Sequence, residues 1–171
     1  MDYSYIITLI LNIFLITAAA ALFYNMRRGA PYVATKQEKI SEIIKLLDIK
    51  PGEKAADIGS GDGRIVIALA GAGAETHGYE IDPLLIWRSR RKIRQAGLQN
   101  KSFIHWKDFW NEDFSSFDIV TVYGIKHIMK KLEEKLKKEL KPGARVVSNG
   151  FKFPTWQPLK SQDGLHLYIQ K

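Results

Sequence analysis

At 171 residues the chain has room for one domain of ordinary size and little else. A hydrophobic share of 46% is enough for a packed core, and neither an internal repeat nor a low-complexity tract interrupts the sequence, which sets repeat arrays aside. The formal charge of +8 leaves nucleic acid, anionic lipid headgroups and plain solvation open as readings, and the lack of cysteine fits a reducing compartment.

The first element is apolar. No charged side chain occurs from Tyr3 to Met26, and the run from Ile6 to Tyr24 is broken only by Thr8, Asn12 and Thr17. At about 1.5 Å per residue such a run matches the ~30 Å hydrocarbon core of a bilayer. No polar stripe marks it as a core helix. A cleaved signal peptide would have a shorter run with Lys or Arg before it, whereas this chain starts Met-Asp-Tyr-Ser-Tyr. The expectation is one transmembrane helix. Asp2 precedes it and Arg27, Arg28 and Lys36 follow, so the positive-inside rule leaves the remainder on the cytoplasmic side of a single-pass protein. Residues 1–26 are then an anchor, 27–35 a linker, and 36–171 a catalytic domain.

Thr35 and Glu38 form a T-x-x-E capping box opening a helix whose apolar face holds Ile40, Ile43, Ile44 and Leu47, with Pro51-Gly52 as its stop. A strand from Lys54 to Ile58 leads into a glycine-rich loop, Gly59 to Gly63, and a helix from Arg64 to about Ala70. Glu75 to Tyr79 reads as a strand ending at Glu80. A helix from Pro83 to Ala96 is closed by Gly97. Further strands are expected at Ser102 to Trp106, Phe117 to Tyr123, Ala144 to Asn149 and Leu165 to Gln170, with a charged helix from Lys126 to Leu140. Strands alternating with helices through short loops imply an α/β fold, with a mostly parallel sheet covered on both faces.

The chemistry sits on the loop Asp57-Ile58-Gly59-Ser60-Gly61-Asp62-Gly63-Arg64. A strand before it and a helix after it give glycines there a purpose, since they let the backbone turn sharply and a ligand approach main chain. A dinucleotide would need G-x-G-x-x-G spacing, but Arg64 stands where Gly or Ala should follow. The Asp62 carboxylate would also face the pyrophosphate. S-adenosylmethionine carries an ammonium and a sulfonium and no phosphate, so acidic residues favour it. Glu80 ends the second strand, where a nucleoside-binding α/β fold places a carboxylate on the ribose hydroxyls. Asp108 would reach the adenine amino group, Ile81 or Phe109 could cover the adenine face, and Asp57 could orient the ammonium. No metal is expected.

These strings, D-I-G-S-G-D-G-R with Y-E-I-D-P and K-D-F-W downstream, resemble class I S-adenosylmethionine-dependent methyltransferases, with a Rossmann-like sheet over residues 31 to 150. Within that group, an apolar N-terminus followed by Pro31-Tyr32-Val33-Ala34-Thr35 resembles the protein-lysine methyltransferases of the mitochondrial ATP synthase c subunit and the adenine nucleotide translocase, and their prokaryotic relatives. The resemblance implies that Tyr32 and Thr35 lie near the methionine end of the cofactor. Nucleic-acid amino-methyltransferases of this fold carry Asn- or Asp-Pro-Pro-Tyr/Phe after the fourth strand. Here that position reads Val122-Tyr123-Gly124-Ile125, so a nucleic-acid substrate is not expected.

Methyl transfer is an in-line displacement in which positioning supplies most of the gain. Tyr123, at the end of the fourth strand, is the candidate to hydrogen-bond an acceptor amine, ahead of His105 and His127. The expected partner is a membrane-associated protein offering a lysine side chain, with anionic headgroups touching the basic clusters. The alternative is a membrane-anchored small-molecule or lipid methyltransferase.

Overall fold

The computed structural model describes the backbone of residues 3–28 and 33–171, while the side chains of residue 18 and residues 20–28 lie outside the described set. The chain divides into two units, Met1–Pro31 and Tyr32–Lys171. In the first, helix α1 runs over Tyr3–Arg28. Its polar side chains turn back onto its own backbone: Thr8 Oγ1 donates to the Ser4 carbonyl at 2.8 Å, Asn12 Nδ2 to Thr8 O at 2.9 Å and Thr17 Oγ1 to Ile13 O at 2.9 Å. The side chains of Ile7, Leu9, Ile10, Phe14 and Ile16 are exposed. Among the described residues no helix is long and apolar enough to cross a membrane, so the structure gives the expected transmembrane helix no support.

The second unit is built on a sheet of seven strands in the order β3-β2-β1-β4-β5-β7-β6. Strands β1 (Lys54–Ile58), β2 (Glu75–Glu80), β3 (Ser102–Trp106), β4 (Ile119–Val122) and β5 (Arg145–Asn149) are parallel. Strand β7 (Leu165–Ile169) runs antiparallel to β5 and to β6 (Lys160–Gln162), an exposed edge strand absent from the sequence reading. The expected parallel sheet is therefore correct through β5, and the C-terminal stretch adds a hairpin through the positive-φ residues Asp163 and Gly164.

Alternation sorts the side chains of the inner strands onto two buried faces. On β1, Ala55 joins Ile119 and Val147 under helices α2 (Gln37–Leu47) and α3 (Arg64–Gly71), while Ala56 and Ile58 join Val120, Val122 and Val146 under α5 (Lys126–Glu139). Helix α4 (Pro83–Gln95) closes the β3 edge through Ile86 and Ile93 on Ile104.

Helix α2 begins later than expected. Lys36 is its N-cap and no side chain caps it, so the Thr35–Glu38 box does not form. The reason is the Thr35 carbonyl, which accepts a 2.7 Å hydrogen bond from Arg64 Nη1 and is held toward α3. Helix α4 is capped in the ordinary manner, with Asp82 Oδ1 accepting from Leu84 N and Leu85 N and Pro83 at the first helical position.

Candidate active site

Parallel α/β sheets place their ligand crevice outside the carboxyl ends of the strands. Register shows which residues meet there. Ile58 lies opposite both Tyr79 and Val122, so the next positions, Gly59, Glu80 and Tyr123, come abreast at the carboxyl edge of the sheet. The Gly59 and Ser60 amides donate to the Tyr79 carbonyl at 3.0 Å and pin the loop to β2. Gly59, Gly61 and Gly63 have φ of 71°, 54° and 79°, a left-handed backbone that side chains with a Cβ resist. At Gly63 a Cβ would also stand 2.7 Å from Ser89 Cβ, which ties the loop closely to α4.

Glu80 grips this loop. Its Oε2 accepts from the Gly61 amide at 2.9 Å, and its Oε1 accepts from Ile81 N at 2.7 Å and Asp82 N at 2.9 Å. A carboxylate offers about four lone-pair sites, so with three taken by backbone amides one remains, on Oε2, for a ligand hydroxyl. Asp57 is buried under the same edge and accepts a 2.7 Å hydrogen bond from Thr121 Oγ1 on β4. Burial pushes its carboxyl up to about 7; the Thr121 bond pulls the other way, and the negative charges of Glu80 and Asp62 add to the rise.

Asp62 does not act as expected. It is buried, and burial alone would raise its carboxyl, yet hydrogen bonds from Arg64 and Lys92 hold it well below the ordinary carboxylate range. Arg64 Nη2 meets it at 2.8 Å, and Lys92 forms a second ion pair. Its charge is spent inside the protein. With Asp62 paired internally, Asp57 and Glu80 are the carboxyls that remain beside the glycine turn, while Arg64 and Lys92, turned to Asp62, are not aimed at a pyrophosphate.

Asp108 follows β3 and accepts from Trp110 N at 3.1 Å, capping the short helical turn Phe109–Asn111, so a turn role accompanies any contact with adenine. Phe109 is buried in the core, 4.7 Å from Trp110 between ring centres. Ile81 is the more open of the two side chains expected to cover adenine. Tyr123 is half-buried, and its ring lies over Gly150, where a Cβ would come within 3.2 Å of Cε2. Thr35 is buried and joins the site through Arg64. Tyr32 lies outside the described residues. Sequence reading did not single out Thr121 or assign Arg64 its linking role; the signal for Thr121 is its position two residues before Tyr123, on the face it shares with Asp57.

A cationic cofactor fits this site. The glycine turn brings main chain to the ligand, a buried carboxyl awaits a positive partner, and Glu80 keeps one acceptor site free on Oε2. Fold and site together define an S-adenosylmethionine-dependent methyltransferase domain of the Rossmann-like class.

Comparison with known proteins gives this class a family. The family described as "ANTKMT methyltransferase domain" matches residues 57–160, and the chain belongs to it. It is 39% identical over 128 residues to the lysine N-methyltransferase of Rattus norvegicus named for the ATP synthase c subunit, covering 75% of this chain and 59% of that protein. The chain thus spans about three-fifths of that relative's length. A protein-lysine N-methyltransferase of Saccharolobus islandicus is 31% identical over 149 residues, covering 81% of this chain and 92% of the relative. Among solved structures, an RNA methyltransferase from Salinibacter ruber in complex with S-adenosyl-L-homocysteine superposes with a TM-score of 0.75 and 32% identity, over 81% of this chain and 92% of that one.

Proposed function

We propose that this chain transfers a methyl group from S-adenosylmethionine to a lysine side chain of a membrane-associated protein. The observation that carries the reading is the pairing, at one sheet edge, of a carboxylate-lined glycine turn with an aromatic hydroxyl beyond β4. Support for lysine comes from the relatives named above, two of which are called lysine N-methyltransferases. Support for the membrane comes from α1, whose described apolar side chains are exposed and whose sequence carries no charge from Tyr3 to Met26. Its self-bonded Thr and Asn side chains suit an apolar surrounding. The cations that follow the apolar run, Arg27, Arg28 and Lys36, favour a cytoplasmic catalytic domain on a single-pass anchor.

Bound S-adenosylmethionine supplies an electrophilic methyl group. In this reading Glu80 would hold the ribose, Asp57 would face the positive end, Asp108 and Ile81 would bracket the adenine, and Thr35 would lie toward the methionine end. The lysine must arrive as a neutral amine, because an ammonium has no lone pair. A desolvated approach lowers its pKa, and Tyr123 accepts or donates a hydrogen bond to orient it. The nitrogen–carbon bond forms as the carbon–sulfur bond breaks, and the sulfur keeps that electron pair.

The test is to incubate the full chain with membranes and methyl-labelled donor. Label on a lysine of a membrane protein, located by mass spectrometry, supports this function. Label confined to the solvent-extractable fraction replaces it with the lipid or small-molecule alternative.

A further inference from the structure

Helix α4 carries a cationic and aromatic surface unconnected with methyl transfer. Two indoles, Trp87 on the helix and Trp106 on β3, lie among its cations. Between Pro83 and Gln95 the helix has no acidic residue. Of its cations, Lys92 is paired with Asp62 and Arg90 donates to the Ile104 carbonyl at 2.9 Å, but Arg88, Arg91 and Arg94 are exposed. A cleft of about 460 Å³ runs from this helix to the end of edge strand β3, with Trp87, Trp106, Arg91 and Arg94 in its lining. Leu84, Trp87 and Trp106 are 52%, 58% and 67% exposed. Leu84, Trp87, Arg88 and Arg91 recur at three- and four-residue steps, on one helical face. The Arg91 guanidinium sits 5.8 Å from the Trp87 ring centre, and Trp106 Nε1 donates to the Ile81 carbonyl at 3.1 Å, fixing that indole beside the donor site.

We infer that this face rests on an anionic lipid surface, with Leu84, Trp87 and Trp106 at the headgroup boundary and Arg91 and Arg94 against lipid phosphates. The inference rests on the membrane-associated reading above and names the surface that meets the bilayer. Indoles with an exposed leucine suit the interface between headgroups and acyl chains, and the unopposed guanidinium groups supply charge complementarity. A nucleic acid would use the same arginines but gains little from Leu84, and the base-gripping sequence after β4 is missing. Through Trp106 the docked face adjoins Ile81, so the carboxyl edge of the sheet would open near the plane from which membrane-protein side chains emerge.

The experiment is flotation of the full chain with vesicles of phosphatidylcholine alone and of phosphatidylcholine mixed with phosphatidylserine. The wild type is expected to prefer the mixed vesicles. The double variant Arg91→Gln/Arg94→Gln should lose that preference roughly thirty-fold, equivalent to ~1 kcal/mol per arginine near an anionic surface, with binding to phosphatidylcholine unchanged. Brominated lipid should quench wild-type tryptophan fluorescence, and the pair Trp87→Phe/Trp106→Phe should lose most of that quenching. An unchanged preference in the arginine variant overturns the inference. So does a single-stranded RNA oligonucleotide that displaces the wild type from vesicles and is not bound by the arginine variant. Absence of binding to either vesicle overturns the membrane reading as well, whereas binding to both without preference overturns this inference alone.

Discussion

Thr121 Oγ1 donates a 2.7 Å hydrogen bond to Asp57 Oδ1 across the β1–β4 pair, joining the strand that feeds the glycine loop to the strand that ends at the acceptor side. The bond favours the ionised carboxylate, but burial outweighs it and lifts the carboxyl from 3.8 to about 7. The folded chain thus holds this proton more tightly than the unfolded chain. Its stability is undiminished below the ordinary value and falls as pH rises from 3.8 to about 7. Asp57→Asn should therefore raise the melting temperature above pH 7 and lose that advantage as pH drops toward 4. A cationic donor prefers the ionised form, so wild-type affinity for S-adenosylmethionine should strengthen as pH rises through about 7. In Asp57→Asn that dependence should be flat. Calorimetric titration across this range checks both, and a variant that keeps the wild-type pH slope would remove Asp57 from the site.

The Glu80 carboxylate, proposed to take the ribose, also closes the turn through Gly61, Ile81 and Asp82. Glu80→Gln keeps the shape but sets an amide NH2 against some of those backbone donors. Hydrogen bonds to a charged group contribute ~1.5–3 kcal/mol each, so losing one or two should weaken cofactor binding by at least roughly tenfold. Equilibrium dialysis measures it, with circular dichroism reporting whether the sheet persists. Affinity within a factor of two of wild type would count against the ribose role.

Arg64 links residues far apart in sequence. Its Nη1 holds the Thr35 carbonyl at 2.7 Å while Nε and Nη2 hold Asp62 at 2.9 and 2.8 Å. Arg64→Ala would free the segment before α2 and leave buried Asp62 with Lys92 alone. Breaking a partly buried, charge-assisted pair costs ~1–3 kcal/mol, which should lower the melting temperature by several degrees. If that segment closes the cofactor site, as the proposed function has it, the change should also raise KM for the donor more than it lowers kcat. Arg64→Lys, which cannot reproduce the forked geometry, should recover only part of this.

What could be read from sequence followed the range of the interactions. The loop from Asp57 to Gly63 is local, and its glycines, strand and helix announce each other over a few residues. Glu80 was singled out from its place at a strand end, and the structure ends β2 there. Thr121 was hidden inside Ile-Val-Thr-Val, where a threonine is ordinary β-branched filler, and only the β1–β4 register turns its hydroxyl toward Asp57. The capping box at Thr35 failed because a guanidinium 29 residues away captured the carbonyl first. Trp106 was hidden for a similar reason, since it reaches the α4 cleft from β3. Strand β6 is short and exposed, with no apolar alternation to signal it.

Tyr123 and Gly150 supply a test of the acceptor side. Gly150 has φ +89°, and a Cβ there would press within 3.2 Å of Tyr123 Cε2, so the glycine both makes the turn after β5 and leaves room for the ring. If Tyr123 orients the acceptor amine, Tyr123→Phe should lower kcat about tenfold, the value of one well-placed hydrogen bond, and leave donor affinity unchanged. Gly150→Ala should act in the same direction by displacing the ring while the hydroxyl remains, with some loss of stability from the strained φ. Combining the two should cost less than the product of the separate effects, since both disturb a single group. Single-turnover kinetics with a lysine peptide would measure all three. Full activity in Tyr123→Phe would assign the tyrosine to packing and move the search for the orienting group elsewhere on the carboxyl edge.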